Sequence, residues 1–192
     1  MTVLIFKDFL DKETCGQLND WVDLGVESKW LDVGISRGSG WSYKDRLTTR
    51  NYGNRFEYPS VVYQVFDAIT HLLGLRDVTK SVAGGGKDGV VVSCTMSGGD
   101  VHKHKDPMEG DLHVLRCNLM TRAADAGAEL FIDDKKIDIG VGDLHCYLPS
   151  DVEHYVTTAE GNTSRIMWMF GYQIAKEDFL KLKARFSKSD AP

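Results

Sequence analysis

Residues 89–106 read GVVVSCTMSGGDVHKHKD, two short β-rich runs joined by a turn that contains Gly98 and Gly99. The first run is rich in valine, and the second places ionisable side chains at alternate positions. Further β-rich runs, each bounded by turn residues, follow at 112–120, 128–133, 136–139, 144–148, 154–158 and 165–174. Eight short strands at this spacing predict a mainly β fold, a double-stranded β-helix or cupin-like jelly roll.

Helical patterns flank these strands on both sides. After a short predicted strand at 3–6, residues 12–24 place apolar side chains three and four positions apart, and Asp11 is suited to cap this helix. A second helix is predicted between Pro59 and Gly74, because proline favours the first turn and glycine the end of a helix. A third helix is predicted at 176–186.

The length of 192 residues suits one domain with a substantial core. We expect a single domain over 1–192. In it, residues 1–80 provide mainly helical support, 88–174 form the jelly-roll core, and 175–192 form a C-terminal helix and tail. Residues 37–55 are polar, glycine-bearing and aromatic, which predicts a loop.

Composition narrows the classes of partner and compartment. The net charge, 23 − 28 = −5, disfavours non-specific binding to nucleic acid or an anionic membrane. No apolar run approaches the ~20 residues of a membrane helix, and the first residues lack a signal-peptide pattern. The four cysteines form no C-x-x-C pair, which fits reduced thiols. We expect a cytoplasmic protein without a membrane partner, and no feature indicates an oligomeric state.

A metal site is predicted around His104 and Asp106. Residues two apart on a strand face the same side, so these two side chains point into one space. A jelly roll can bring His154, at the head of a later strand, alongside them. Two imidazoles and one carboxylate on one face of a metal leave positions open, as in non-haem iron(II) oxygenases. His102 faces the same way as His104, so an H-x-H-x-D zinc or manganese site of a cupin remains an alternative.

Arg165 begins the apolar run 165–172. Burying an arginine is costly without an anionic partner, and a guanidinium matches a carboxylate as a two-pronged donor. A dicarboxylate ligand would supply that partner. The alternative is an arginine at the edge of a strand, facing solvent.

The order His104-x-Asp106, then His154, then Arg165 resembles the 2-oxoglutarate/Fe(II)-dependent dioxygenase superfamily, and prolyl-hydroxylase-like members in particular. Flanking segments at 96–100, 126–132 and 142–154 are similar to the turn, glycine-rich strand and G-D…P-S…H run of those members. The resemblance covers residues 3–174 and is strongest over 94–172. Departures occur at Met96 and Met167, where relatives carry tyrosine and serine.

The resemblance implies an oxygenase that hydroxylates an unactivated C–H bond, with succinate and CO2 as coproducts. Fe(II) would be held by His104, Asp106 and His154, which would serve as the catalytic centre. 2-Oxoglutarate and O2 would be cosubstrates, and ascorbate is a candidate supporting reductant. Arg165, with Asn118 where relatives place a tyrosine, would bind 2-oxoglutarate.

The substrate is expected to be small and amino-acid-like, or peptidyl. Residues 37–55 carry five basic residues and one acid, interleaved with aromatics, which suits a compact site. The residues assigned to substrate on this basis, or on their inward strand positions, are Arg46, Arg50, Arg55, Arg116 and His102.

Two other functions remain open. A nucleic-acid demethylase of the same superfamily would use the basic segment to hold phosphates, although the acidic pI opposes it. A cupin-like metal-binding module would not use 2-oxoglutarate, and Arg165 is the residue that distinguishes it. His71, His113 and His145 are interpreted as surface or structural residues, since His145 alternates with Cys146 and need not face the metal.

Overall fold

A computed structural model describes residues 3–29, 31–35, 42–48, 58–75, 89–108 and 112–187 of the chain. Within these residues it has three helices, α1 Lys12–Glu27, α2 Ser60–Leu73 and α3 Lys176–Ser187. The strands, in chain order, are β1 Leu4–Phe6, β2 Asp32–Ile35, β3 Ser42–Thr48, β4 Gly89–Thr95, β5 Val101–His104, β6 His113–Arg122, β7 Ala126–Gly127, β8 Leu130–Ile132, β9 Lys135–Lys136, β10 Leu144–Tyr147, β11 His154–Val156, β12 Ala159–Glu160 and β13 Arg165–Ile174.

The strands form two principal antiparallel sheets, as expected for a jelly roll. The major sheet has the order β1-β10-β6-β13-β4-β3-β2, and the minor sheet has the order β5-β11-β8-β9. Strands β12 and β7 form a further short pair. The predicted fold class, mainly β with flanking helices, is therefore confirmed.

Strands β4, β6, β10 and β13 of the major sheet are buried on both faces, and their side chains alternate between two environments. One face packs against the three helices through residues such as Leu115, Cys117, Leu119, Trp168 and Phe170. The other face is turned toward the minor sheet and carries more polar side chains, among them Arg116, Asn118, His145, Arg165 and Ser93. Because strand residues alternate in direction, one strand can serve the hydrophobic core and the interior of the jelly roll at once.

The helices begin and end largely where the sequence predicts. The Asp11 side chain accepts a hydrogen bond from the Thr14 amide at 2.8 Å, which confirms its role as the cap of α1. Gly74 ends α2 with a left-handed φ of 70°, a conformation that glycine adopts readily. Arg122 on β6 binds both carboxylate oxygens of Asp23, at 2.8 and 2.9 Å, and so ties α1 to the major sheet.

The predicted loop at 37–55 is wrong over Ser42–Thr48, because these residues form β3. There Arg46 is the register partner of Thr95 on β4. Backbone hydrogen bonds to the neighbouring strand stabilise β3. Its sequence is polar, so it lacks the apolar alternation by which strands are recognised. The predicted strand 136–139 is also wrong in extent, since β9 contains only Lys135–Lys136.

The predicted strand 101–106 ends early, at His104, so Asp106 follows the strand instead of lying on it. Its amide donates to the Pro149 carbonyl at 2.9 Å, and this bond holds the segment in place. Among the helices that the structure describes, none has the length and apolar character to span a membrane.

Candidate metal centre and its cavity

Two strands of the minor sheet bring His104 and His154 together. His104 ends β5 and His154 begins β11, and the two residues are direct register partners. Their ring centroids are 4.3 Å apart. One ligand atom each from His104, Asp106 and His154 lies within 4.8 Å of the others. The predicted triad is thus brought together across more than forty residues of chain.

Backbone carbonyls orient both imidazoles. Nδ1 of His104 lies 2.7 Å from the carbonyl oxygen of His102, and Nδ1 of His154 lies 3.3 Å from that of Val152. A carbonyl only accepts, so each Nδ1 carries the hydrogen and each Nε2 keeps its lone pair. This outer contact is the usual way of preparing a histidine to bind a metal through its other nitrogen.

Asp106 completes the cluster from the loop after β5. One carboxylate oxygen, Oδ1, lies 3.4 Å from Nε2 of His104. The other, Oδ2, lies 3.7 Å from Nη2 of Arg116, which reaches across from the major sheet. One oxygen therefore faces the imidazoles while the other faces a buried guanidinium.

The surroundings of His154 keep it neutral, which is the form that binds metal. Burial and then the neighbouring His104 lower the pKa of His154 to about 4. Tyr147 packs edge-on against this ring, with centroids 5.4 Å apart. Burial also holds the pKa of Tyr147 well above its usual range, so it remains a neutral phenol.

A cavity of about 60 Å³ opens between the two sheets at this cluster. One water molecule needs roughly 10–15 Å³ of such cavity volume, so this cavity has room for a small ligand. The cavity is lined by His104, Asp106 and His154, by apolar residues of both sheets, and by polar residues of the major sheet. These polar residues are Arg46, Ser93, Arg116, Asn118, His145, Tyr147 and Arg165.

Arg165 is buried in the wall of this cavity, with only 5% of its surface exposed. Burial and then the charge of Arg46 lower its pKa to about 10, so it remains a cation at neutral pH. Its Nε has no hydrogen-bond partner among the described residues. A buried cation with an unused donor favours an anionic ligand, and the alternative of a solvent-facing arginine is excluded by this burial.

Three residues predicted to contact substrate are placed in or near the site. Arg46 lines the cavity, and its Nε donates to the Ser93 hydroxyl at 2.6 Å. Arg116 also lines it. His102 stacks near His104, with ring centroids 5.0 Å apart, but it is not part of the three-ligand cluster. Arg50 and Arg55 lie outside the described residues.

The sequence did not identify His145 and Tyr147 as cavity residues. Both lie on β10, where they alternate with Leu144 and Cys146, but because every residue of this strand is buried the alternation does not tell which face lines the cavity. The strand register decides which face lines the cavity. On β6, Asn118 is the partner of His145 and Arg116 is the partner of Tyr147. Their position beside two predicted inward-facing residues was the missing signal.

Comparison of folds relates the chain to prolyl hydroxylases. It is similar to a prolyl hydroxylase from Trichoplax adhaerens, in complex with a hypoxia inducible factor oxygen degradation domain peptide fragment. The TM-score is 0.70 at 14% identity, over 94% of this chain and 86% of that one. No family model matches the sequence, and no curated protein matches it.

Two further structures give the same result. A viral collagen prolyl hydroxylase from Paramecium Bursaria Chlorella virus-1, in a 2OG complex, matches with a TM-score of 0.64 at 12% identity, over 91% of this chain and 96% of that one. A Pseudomonas putida prolyl-4-hydroxylase matches with a TM-score of 0.67 at 13% identity, over 90% of this chain and 92% of that one. The chain therefore has the prolyl hydroxylase fold over nearly its whole length.

Proposed function

We propose that this protein is an Fe(II)- and 2-oxoglutarate-dependent oxygenase that hydroxylates a peptidyl substrate, with a prolyl residue as the favoured target. The observation that carries the proposal is the placement of a His-Asp-His cluster and a buried, incompletely paired Arg165 in one cavity. A metal site alone explains the cluster but gives no reason for the buried arginine.

The residues present fit a bound iron(II) ion. His104 and His154 would each bind through Nε2, and Asp106 would bind through the carboxylate oxygen that faces them. Three ligands of this kind leave open positions on the metal, where a bidentate cosubstrate and oxygen can enter. Bound iron, 2-oxoglutarate and oxygen together supply the oxidising chemistry, with release of succinate and CO2.

The protein would contribute orientation, charge and a dry environment. Arg165 would hold the far carboxylate of 2-oxoglutarate, since a charge-assisted pair fixes both the position and the direction of the ligand. Met167, Met169, Leu130 and Val156 line the cavity between the two ends. These apolar walls exclude water from the reacting region, which protects an oxidising centre from side reactions.

Arg116 would act on the metal through Asp106. Its guanidinium lies beside Oδ2, so that oxygen is engaged and Oδ1 remains directed at the imidazoles. Such outer contacts orient a metal ligand and tune its charge. In this assignment, Arg116 is a positioning residue and is not required to contact substrate.

A peptidyl prolyl substrate is supported by the fold of three prolyl hydroxylases, one of them in complex with a peptide fragment. It is also consistent with the sequence-based expectation of a small or peptidyl substrate. The nucleic-acid alternative receives no support from the acidic charge balance.

The cofactor assignment is tested by adding 2-oxoglutarate to the Fe(II) protein without oxygen. Chelation should produce a weak visible charge-transfer band, and admission of oxygen should then release succinate. Asp106→Ala serves as the matched control and should lose both signals. Tight metal binding with neither band nor succinate would instead identify a metal-binding module that does not use 2-oxoglutarate.

The substrate assignment needs a separate measurement. We expect proline-containing peptides to accelerate succinate release and to gain the mass of one oxygen atom. The same peptides with alanine in place of proline provide the control. If acceleration is unchanged by this replacement, the prolyl target is wrong while the cofactor assignment stands.

A further inference from the structure

Three buried polar side chains in the cavity wall each keep one atom without a hydrogen-bond partner in the described part of the chain. They are Arg165 through Nε, His145 through Nδ1 and Asn118 through Oδ1. Their residues are 5%, 0% and 6% exposed, respectively. Buried polar atoms in folded proteins are nearly always paired, so the two unpaired donors in this cavity, on Arg165 and His145, indicate a ligand that accepts hydrogen bonds.

His145 and Asn118 form a pair across two strands of the major sheet. They are direct register partners on β10 and β6. Nδ2 of Asn118 lies 3.3 Å from Nε2 of His145. An amide nitrogen only donates, so Nε2 accepts this hydrogen bond and the ring hydrogen is placed on Nδ1. Asn118 thereby selects the tautomer of His145 that offers an N–H donor.

The two remaining atoms of this pair differ in kind. Nδ1 of His145 offers a hydrogen, whereas Oδ1 of Asn118 is an acceptor. A carboxylate is itself only an acceptor, so it can pair with the first atom but not with the second. Nδ2 carries two hydrogens, but it donates to His145 and Asn118 is also hydrogen-bonded to Tyr147. The atom of Asn118 that is left over is thus the acceptor Oδ1, which favours a positioning role over the sequence-based assignment as a direct 2-oxoglutarate ligand.

His145 is also compatible with a cationic neighbour. Burial and then the charge of Arg165 lower the pKa of His145 to about 3. The ring is thus neutral at physiological pH and adds a donor without adding a second buried positive charge. Arg165 and His145 together offer one charged and one neutral donor to the same cavity.

We propose that His145 is the second residue that binds the far carboxylate of 2-oxoglutarate, beside Arg165, and that Asn118 positions His145 instead of touching the carboxylate. The inference rests on the proposed function, because it assumes a 2-oxo dicarboxylic acid in the cavity. It gives a role to the buried histidine that the metal cluster does not use.

Binding of two 2-oxo acids to the anaerobic Fe(II) protein tests this assignment. 2-Oxoglutarate carries the far carboxylate, and 2-oxopentanoate has the same chain length without it. His145→Phe should weaken 2-oxoglutarate binding by about ten-fold or more, as expected for a lost hydrogen bond to a charged group. Binding of 2-oxopentanoate and of the metal should stay within about two-fold.

Further variants separate binding from packing. His145→Gln restores a neutral amide donor and should recover part of the 2-oxoglutarate affinity. Asn118→Asp should weaken it, since a carboxylate would draw the ring hydrogen to Nε2 and leave Nδ1 as an acceptor. His71→Gln, a histidine change on the exposed side of α2, is the matched control and should have no effect.

Several results would overturn the inference. Unchanged 2-oxoglutarate affinity in both His145 variants would remove His145 from the carboxylate site. An equal loss for both 2-oxo acids would identify a purely structural role. Neither result affects the proposed use of 2-oxoglutarate, which fails if the wild-type protein itself does not bind that acid.

Discussion

At the level of single residues, the neighbouring histidines His102 and His104 have different contacts, although both lie on β5. His104 is paired in register with His154, and its Nδ1 is already bonded to the backbone of His102. These two contacts present Nε2 of His104 to the partner strand. His102 lies on the same strand but does not belong to the three-ligand cluster.

The first prediction compares these two histidines. His104→Ala should lose most Fe(II) binding, because one of three ligands is removed, and should lose succinate production with it. His102→Ala should retain metal binding within a few-fold. Both are measured by anaerobic titration with Fe(II). The reverse order of effects would mean that His102 is the ligand.

The second prediction concerns Arg165. Arg165→Ala should weaken 2-oxoglutarate binding by about ten- to a hundred-fold, since a hydrogen bond to a charged group contributes roughly 1.5–3 kcal/mol. Fe(II) affinity should be unchanged because the three metal ligands remain. An anaerobic titration of the charge-transfer band measures both quantities. A folded variant with wild-type 2-oxoglutarate affinity would place the carboxylate elsewhere.

At the level of elements, the site depends on turns that bring distant strands into register. Gly142 precedes β10 and is bonded on both sides: its amide donates to the Met120 carbonyl at 2.8 Å, and its carbonyl accepts from Leu10 at 3.0 Å. Its φ is 89°, and an added Cβ would lie 2.4 Å from the Leu10 carbonyl oxygen. This turn therefore requires glycine for both conformation and space.

The third prediction uses this turn. Gly142→Ala should lower the free energy of unfolding by about 1–3 kcal/mol, because a left-handed residue with a Cβ is strained. Gly16→Ala is the control. Gly16 lies inside α1, and no atom is within 4 Å of the added Cβ. The free energy of unfolding of this variant should rise by roughly 0.5–1 kcal/mol, because alanine is favoured over glycine inside a helix. Urea denaturation measures both, and equal midpoints for the two variants would contradict the expectation.

At the level of the whole molecule, the major sheet separates a hydrophobic core from a polar interior. Its outer face packs on three helices, with Trp168 fully buried at 5.4 Å from the Trp21 ring. Its inner face carries arginines and a histidine that line one cavity with the cluster of His104, Asp106 and His154. Burial that stabilises the fold therefore also buries ionisable groups, and this couples stability to pH.

The fourth prediction follows from the lowered pKa of His145. Its value is about 3 in the folded protein, against about 6.5 for an unfolded histidine. Below pH 6.5 the unfolded chain binds a proton that the folded protein does not. The free energy of unfolding should therefore be highest above pH 6.5 and fall toward pH 3, by up to about 1.4 kcal/mol per pH unit from this residue.

Comparison with His145→Phe isolates this contribution from other titrating groups. The variant should show a shallower decline in the free energy of unfolding between pH 6.5 and 4.5, as measured by urea denaturation without metal. His71→Phe, on the exposed side of α2, controls for the loss of a histidine. Identical slopes in the wild type and His145→Phe would show that His145 is not kept neutral by the fold.

The sequence by itself predicted the strand-rich core and the cluster of His104, Asp106 and His154, and it singled out Arg165 as a candidate anion ligand. These features depend on local periodicity or on residue types whose chemistry is costly to bury. His104 and Asp106 are two residues apart in the chain, and an arginine at the head of an apolar strand is costly to bury without an anion.

Only the tertiary structure decided which face of each buried strand lines the cavity. β10 is buried throughout, so its sequence does not distinguish the side of His145 from the side of Cys146. Pairing with β6 makes that choice and places His145 opposite Asn118. β3 was missed for a related reason, because its hydrogen bonds to β4 stabilise a strand that has no apolar alternation. Contacts between distant strands are long-range, and local patterns do not specify them.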